Sequence, residues 1–223
     1  MATFEEISAL VEQGKVDTDS NYPRQLKGQP GVRELVRELI AAGTDPLTIL
    51  NEALTPGMRS LGRKFSEGTV FVPEVMLAMK AMKAGVEEVM PYLKQADIKP
   101  RGKFVIGTVQ GDIHDIGKNL VKMLLEGVGW NVVDLGTNVD SRAFVNAVRE
   151  HKPDALGLSA LLTTTMETMR QVVAQLREAD LEVPVLVGGA PLSESFAAEI
   201  GAHYGQDPQA AIDILDRLVP PAA

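Results

Sequence analysis

Residues 104–128 read FVIGTVQGDIHDIGKNLVKMLLEGV, and this stretch decides the fold of the second half of the chain. It opens with Phe104–Val109, an apolar run of strand length. From residue 117 onward, apolar residues recur at the spacing of an α-helix. A strand, a polar loop and a helix in this order indicate a β–α unit of a parallel sheet. The loop QGDIHDIG would then lie at the carboxyl edge of the sheet, where such folds bind their ligands.

The alternation of strand and helix patterns continues along the rest of the chain. This spacing predicts a five-stranded, parallel, doubly wound sheet over residues 103–223. The loops that follow the first, third and fourth strands would meet at one edge of that sheet. The later strands are predicted at 132–135, 155–159, 183–187 and 202–204, and the helices at 117–128, 141–151, 164–179 and 208–218.

Residues 1–94 carry a helical pattern instead. Four segments with apolar residues at helical spacing are joined by short loops, which predicts a four-helix bundle. Within the third segment, Pro56-Gly57 predicts a kink. The polar sequence QADIKPRGK starts at residue 95, and we expect residues 95–102 to be a linker between two domains.

Composition narrows the functions that the chain could have. Of its 223 residues, 45% are hydrophobic and 23% charged, which is typical of a globular protein. A net charge of −8 and an aromatic content of 4% argue against nucleic acid as a partner. There is no run of about 18 apolar residues and no signal-peptide pattern, so we expect no membrane partner and a cytoplasmic location. The absence of cysteine excludes thiolate metal sites and iron–sulfur clusters.

His114 is the candidate metal ligand of the first loop. A metal-bound imidazole usually donates its other N–H to a carboxylate, and Asp112 is well placed by sequence to accept it. Zinc normally needs three or four protein ligands, and neither His151 nor His203 has ligand spacing with His114. A site with one histidine suits a cofactor that supplies its other metal ligands itself, as a macrocycle does. Asp115 has a second interpretation, as the N-cap of the following helix.

A nucleotide phosphate is a poor fit to this loop. The segment GDIHDIG lacks G-x-G-x-x-G and a G-K-[ST] ending, and its two acidic residues would repel a phosphate at the helix N-terminus. Small and hydroxyl residues follow the later strands, at Ser159, Thr163–Thr165 and Gly188-Gly189. Each of these alone is explained by a helix cap or a tight turn. Together they predict a slot with hydrogen-bonding walls, which suits an elongated polar tail.

The combination Asp112-x-His114-x-x-Gly117, Ser159-x-Leu161 and Gly188-Gly189 resembles the B12-binding signature of methionine synthase, cobalamin-dependent mutases and small corrinoid proteins. Residues 103–219 are similar to its flavodoxin-like, Rossmann-like domain. The stretches EGTVFVPE at 67–74 and LTPGM at 54–58 resemble the four-helix cap of methyl-carrying corrinoid proteins. Mutase domains lack this cap. The resemblance implies a helical-bundle cap in residues 1–94 and a cobalamin-binding five-stranded α/β domain in residues 103–223.

The resemblance also implies roles for individual residues. His114 would be the lower axial ligand of cobalt and would displace the dimethylbenzimidazole of the cofactor, giving a base-off, His-on state. Asp112 would accept its hydrogen bond, and Thr165 stands where a serine completes this relay in methionine synthase. Gly117 would let the corrin approach closely. Cofactor contacts are implied for Gly111, Asp112, Ile113, His114, Asp115, Ile116, Gly117, Ser159, Leu161, Thr163, Thr165, Gly188, Gly189 and Ala190, and in the cap for Phe71, Val72, Met76 and Met79.

The function that the resemblance implies is a methyl carrier, cycling between Co(I) and methyl-Co(III), rather than an independent catalyst. It would take a methyl group from a substrate-specific methyltransferase and pass it to a second methyltransferase acting on tetrahydrofolate or a thiol. A corrinoid reductive activator would be a third partner. A B12-dependent sensor, an adenosylcobalamin mutase subunit and a flavodoxin-like electron carrier are the alternatives. For the four cap residues, ordinary packing in the core of the bundle is the alternative.

Overall fold

The computed structural model describes residues 2–95 and 100–220, which form two compact units. The first unit is helical, and the second alternates strands and helices. The expected linker, residues 95–102, spans the boundary between them. Residue 95 still belongs to the last helix of the first unit, and residues 96–99 lie outside the described residues. The linker therefore stays a prediction.

The helical unit confirms the predicted bundle. The apolar stripes that predicted its helices form its core, with Ile7, Val36, Met58 and Val75 all at 0% exposure. Burial of these side chains supplies most of the stability that short helices lack in isolation. The elements are α1 (Phe4–Glu12), a 3₁₀ turn (Arg24–Leu26), α2 (Val32–Ala41), α3 (Pro46–Thr48), a π-helical stretch (Ile49–Leu54), α4 (Thr55–Ser66) and α5 (Val72–Gln95).

The irregularity in the third helical segment lies one turn before the predicted kink. Pro56 is the second residue of α4. The π-helical stretch Ile49–Leu54, whose turn is wider than that of an α-helix, ends directly before α4 begins. A proline within a helix removes one hydrogen bond and crowds the carbonyl four residues earlier, and a π-turn there relieves both. Gly57 has a packing role, because a Cβ atom at this position would lie 2.6 Å from the Ser8 carbonyl oxygen of α1.

The α/β unit is the predicted five-stranded parallel sheet, and its strand order is β2-β1-β3-β4-β5. The central strands β1 and β3 are almost entirely buried, which explains why both read as continuous apolar runs. The elements are β1 (Lys103–Thr108), α6 (Ile116–Gly127), β2 (Asn131–Asp134), α7 (Ser141–His151), β3 (Ala155–Ser159), α8 (Thr163–Glu178), β4 (Val185–Gly188), α9 (Glu194–Ile200), β5 (His203–Tyr204) and α10 (Pro208–Leu218).

The strand order places a topological switch point between β1 and β3. The chain leaves β1 toward β2 on one side and continues from β3 toward β4 on the other, so the loops after β1 and β3 diverge and leave a crevice at the carboxyl edge. The loop that contains His114 follows β1, and the loop that contains Leu161 follows β3. The fold therefore brings the two main sequence motifs together.

Helix α9 was not predicted. It has seven residues, which is too short for a clear helical period. Its end signals are nevertheless present: Ser193 caps the first turn by accepting a hydrogen bond from the Phe196 amide, and Gly201 ends the helix in the left-handed conformation with φ 75°.

Candidate functional site

The loop between β1 and α6 is fixed by hydrogen bonds from two neighbouring elements. The Thr108 hydroxyl, at the end of β1, donates to the His114 carbonyl oxygen at 2.9 Å. Asn138, in the loop after β2, accepts from the Gly111 amide through its side-chain oxygen at 2.8 Å. The Asn138 amide in turn donates to the Asp112 carbonyl oxygen at 2.9 Å. The backbone around Asp112 and His114 is therefore held in place by protein contacts alone.

Asp112 and His114 form the close pair that the sequence predicts. Asp112 Oδ1 lies 2.7 Å from His114 Nδ1 and accepts the His114 backbone N–H at 3.0 Å. The carboxylate is fully buried, whereas 49% of the His114 side chain is exposed. An ionised carboxylate at this distance keeps the proton on Nδ1, which leaves the lone pair of Nε2 available for a metal.

The other oxygen of Asp112 binds the loop and helix that follow β3. Oδ2 accepts from the Leu161 amide at 2.7 Å and from the Thr165 hydroxyl at 2.9 Å. The Thr165 hydroxyl also lies 2.9 Å from the Leu162 carbonyl oxygen, but its single proton is bound more strongly by the charged acceptor. Burial alone would raise the pKa of Asp112, but the bonds from Leu161, His114 and Thr165 outweigh it and hold the pKa well below its usual range. Asp112 is thus ionised at neutral pH.

The surface around His114 suits a large and partly apolar cofactor. Ile113 is 77% exposed and Ile116 69% exposed, and Leu161 and Leu162 also present much of their surface to solvent. Clustered exposed aliphatic side chains are costly unless a ligand covers them. Gly117 adds space, because a Cβ atom at this position would meet no other protein atom within 4 Å. The protein itself does not require a glycine at 117, so close approach of a ligand is the better explanation.

The glycines after β4 have a different explanation. Gly189 has φ 140°, and a Cβ atom there would lie only 1.7 Å from the Ala160 carbonyl oxygen. Gly188 pairs in register with Ser159, and its carbonyl oxygen accepts from the Ala160 amide. The fold itself therefore requires Gly189. The close packing of Gly189 against Ala160 places Ser159, Gly188 and Gly189 next to one another at the carboxyl edge of the sheet.

The remaining predicted residues of the α/β unit are solvent-accessible. Asp115 occupies the N-cap position of α6, but its side chain does not cap the helix and instead accepts from Asn119 Nδ2 at 3.0 Å. Thr163 is the first residue of α8, and both Thr163 and Ala190 are exposed. Contact of Asp115, Thr163 and Ala190 with a cofactor therefore stays a prediction.

The four predicted cap residues lie at or near the beginning of α5. Phe71 is 64% exposed and Met76 48% exposed, while Val72 and Met79 are partly buried. None of the four belongs to the fully buried core of the helical unit, unlike the adjacent Val75. Packing in the bundle core therefore does not account for Phe71 and Met76, whereas it stays the alternative for Val72 and Met79.

Sequence reasoning missed three residues that shape the site. Thr108 and Asn138 hold the loop, and Asn138 adopts a left-handed conformation with φ 55° that asparagine tolerates better than most residues. Lys118 is only 3% exposed although it directly follows Gly117. No local sequence pattern distinguishes this buried lysine in the first turn of α6 from an exposed one.

The described residues, 2–95 and 100–220, contain no group of three or more His, Asp or Glu side chains that could hold a metal ion. In the same ranges, no helix is long and apolar enough to cross a membrane. A cobalt ion bound through one histidine needs a macrocycle to supply its other ligands, and the exposed His114 with its apolar surroundings fits such a group.

Comparisons with known proteins agree with this geometry. Two family models, both described as a B12 binding domain, match residues 102–214 and 29–89. Trimethylamine corrinoid protein 1 of Methanosarcina mazei is 38% identical over 223 residues, covering 98% of each chain. Trimethylamine corrinoid protein 2 of the same organism is 41% identical over 217 residues, covering 95% of each. The crystal structure of the methanol:cobalamin methyltransferase complex MtaBC from Methanosarcina barkeri matches with a TM-score of 0.79 and 32% identity, covering 99% of this chain and 80% of that chain.

The two family models together match most of both units and make this a cobalamin-binding protein. The chain belongs to the B12-binding corrinoid proteins of methyltransferase systems. The cofactor and the family are thus shown, whereas the roles of individual residues toward the cofactor stay predictions.

Proposed function

We propose that this corrinoid protein carries a methyl group between two methyltransferases and binds its cofactor base-off with His114 as the lower ligand. The observation that supports this most strongly is the Asp112–His114 pair, in which a buried carboxylate orients an exposed imidazole. The relatives named trimethylamine corrinoid proteins favour a methylated amine as the methyl source, bound on a partner subunit. The solved methanol:cobalamin methyltransferase complex supports a methyltransferase as that partner.

A bound corrinoid supplies the cobalt that accepts a methyl group from one partner and releases it to another. The chain itself contributes the histidine ligand, His114, and the carboxylate that orients it, Asp112. His114 Nε2 would hold the cobalt of a bound corrinoid, because the Asp112 carboxylate keeps the ring proton on Nδ1. Asp112 is ionised at neutral pH, so it would orient the His114 imidazole and strengthen Nε2 as a metal ligand.

The rest of the carboxyl edge would hold the organic part of the cofactor. Ile113 and Ile116 offer aliphatic surface to the macrocycle, and Gly117 leaves room beside the backbone. Ser159, with Gly188 and Gly189, would line the slot for the displaced nucleotide tail, because these residues lie together beyond the strand ends. This also supports a base-off cofactor, since a slot for the tail is needed only when histidine replaces the cofactor's own base.

Phe71, Val72, Met76 and Met79 would cover the upper face, where the methyl group is carried. A covered methyl group is inaccessible to both partner enzymes, so we propose that the linker at 95–102 acts as a hinge between the units. Protease cleavage within the linker should change when a partner methyltransferase is added. The second methyltransferase, acting on tetrahydrofolate or a thiol, the reductive activator and a cytoplasmic location also stay predictions. A sensor and a mutase subunit are less well supported, because the curated relatives compared above are named as corrinoid proteins of methylamine systems.

The test is reconstitution with methylcobalamin, followed by electron paramagnetic resonance of the Co(II) form. We expect nitrogen splitting from a histidine in a base-off cofactor. The His114→Gly variant should retain corrinoid but lose that splitting, whereas His203→Gln, at an exposed histidine of β5, should behave as the parent protein. Unchanged spectra in His114→Gly would exclude His114 as the ligand. Failure of the parent protein to retain any corrinoid would refute the carrier function.

A further inference from the structure

Lys118 is a buried cation that the proposed cycle does not use. Only 2% of its side chain is exposed, and it lies in the first turn of α6, directly after Gly117. Its Nζ atom donates to Asp134 Oδ1 at 2.7 Å, to Asp134 Oδ2 at 2.8 Å and to Asn119 Oδ1 at 2.8 Å. The three protons of the ammonium group therefore have three acceptors.

These contacts are part of a longer path, which we call the Lys118 chain: Asp134, Lys118, Asn119 and Asp115. At one end, Asp134 closes strand β2 and accepts from the Gly136 amide at 2.9 Å. At the other end, Asn119 Nδ2 donates to Asp115 Oδ2 at 3.0 Å. Asp115 directly follows His114, so the path runs from the sheet to the residue beside the proposed ligand.

Stability alone is a weak explanation for the Lys118–Asp134 pair. Taking an ammonium group out of water is costly, and the pair recovers that cost only when its hydrogen bonds are complete. Apolar residues of similar volume often serve the fold as well or better. Burial raises the pKa of Asp134, but Lys118 and the Gly136 amide outweigh it and lower the pKa overall. Asp134 is thus ionised, and a role in fixing geometry explains the buried pair better than stability does.

The polarity of Asn119 supports that role. Its amide oxygen faces the cation of Lys118, and its amide nitrogen faces the carboxylate of Asp115. A side chain with only acceptors or only donors could not join the two. The order cation, amide, carboxylate is therefore specific, and it fixes the start of α6 relative to β2.

We propose that Lys118 is a positioning residue for His114. The inference rests on the proposed His-on function and adds a second support for the loop. Asp112 holds the imidazole from the side of β3, and the Lys118 chain holds the following residue from the side of β2. With both supports, His114 returns to the metal in one geometry after each release.

The decisive experiment compares Lys118→Met, Asn119→Ala and a control, Lys122→Met, as corrinoid-loaded proteins. Lys122 lies 3.6 Å from the same Asp134 but is one-third exposed and stands outside the chain of contacts. The readout is the ratio of His-on to His-off Co(II), from the nitrogen splitting, together with the unfolding midpoint of the cofactor-free protein. We expect the ratio to fall about tenfold in the first two variants, the lower end of what loss of an outer partner costs a metal ligand, and to stay unchanged in the control.

Asn119→Ala carries the test if Lys118→Met fails to fold, because it leaves the buried ion pair intact. An unchanged ratio in Asn119→Ala, with its cofactor-free unfolding midpoint also unchanged, would overturn the proposal. The double variant Lys118→Met, Asp134→Asn separates positioning from charge balance, since recovery of the parent ratio would mean that only charge compensation matters. If the parent protein itself shows no nitrogen splitting, the His-on function fails rather than the role of Lys118.

Discussion

The loop after β1 and the exposed face of α5 are both proposed to contact the cofactor, yet they are built in opposite ways. In the loop, polar groups fix one imidazole: Asp112 alone accepts four hydrogen bonds while fully buried. At the start of α5, the side chains of Phe71 and Met76 are apolar and exposed and form no hydrogen bonds. A histidine that binds a metal ion must be held in one orientation, and hydrogen bonds provide that orientation. Covering a methyl group requires only apolar surface.

The largest effect should come from Asp112→Asn. The amide places two N–H donors where the carboxylate accepted two, so buried donors lose their partners. We expect the His-on to His-off ratio to fall about 100-fold and the free energy of unfolding of the cofactor-free protein to fall by about 3 kcal/mol. Electron paramagnetic resonance and denaturant unfolding measure these two quantities. Asp180→Asn is the matched control, because Asp180 is exposed, lies just beyond the C-terminal end of α8, and has a left-handed backbone that asparagine also tolerates.

The stability difference between the parent protein and Asp112→Asn should depend on pH. Because the folded state lowers the pKa of Asp112, the unfolded chain binds this proton more readily. The carboxylate therefore stabilises the fold above its unfolded-state pKa of about 3.9, and this stabilisation is lost as the pH falls below it. Unfolding measured at about pH 7 and about pH 3 should show the difference shrinking. A difference that is constant over this range would contradict an ionised, hydrogen-bonded Asp112.

The next effect concerns Thr165, whose hydroxyl donates to Asp112. Thr165→Val keeps the shape of the side chain but removes the donor, and we expect unfolding to become easier by about 1.5 kcal/mol. Thr165→Ser keeps the donor and should cost less than Thr165→Val. The nitrogen splitting should weaken in the valine variant only. If serine and valine behave alike, the methyl group matters at this position and the relay does not.

Two substitutions at Asn138 separate the contribution of its backbone conformation from that of its side chain. Asn138→Gly keeps the left-handed backbone but loses the acceptor for the Gly111 amide, so we expect a loss of about 0.5–1 kcal/mol. Asn138→Ala adds backbone strain, for a total of about 1.5–2 kcal/mol. Thermal unfolding of the cofactor-free proteins ranks the two variants. The reverse order would mean that the positive φ at 138 carries no cost.

The sequence predicted the parts of the site that repeat a local pattern. Asp112 and His114 are two residues apart in one loop, so spacing alone was sufficient to pair them. Thr165, in the first turn of α8, was assigned to this relay only through the resemblance to the B12-binding signature. The contribution of Asn138 depends on how closely the loop after β2 approaches the loop after β1, which no local pattern encodes. Lys118 was missed for the same reason: its acceptor Asp134 lies 16 positions away on a neighbouring strand. Helix α9 escaped prediction because it is shorter than two full helical turns.

The smallest effect on stability, and the sharpest contrast with the loop, should come from the exposed face of α5. Met76→Ser should leave the free energy of unfolding within about 0.5 kcal/mol of the parent value, because the side chain is half-exposed. Val75→Ala, at the neighbouring buried position, should cost about 2 kcal/mol. If α5 covers the upper face, Met76→Ser alone should speed the uptake of cyanide by the Co(III) protein while leaving the nitrogen splitting of Co(II) unchanged. Equal rates in both variants and the parent would mean that this face of α5 does not shield the metal, and the contrast between a directed lower site and an apolar upper cover would then fail.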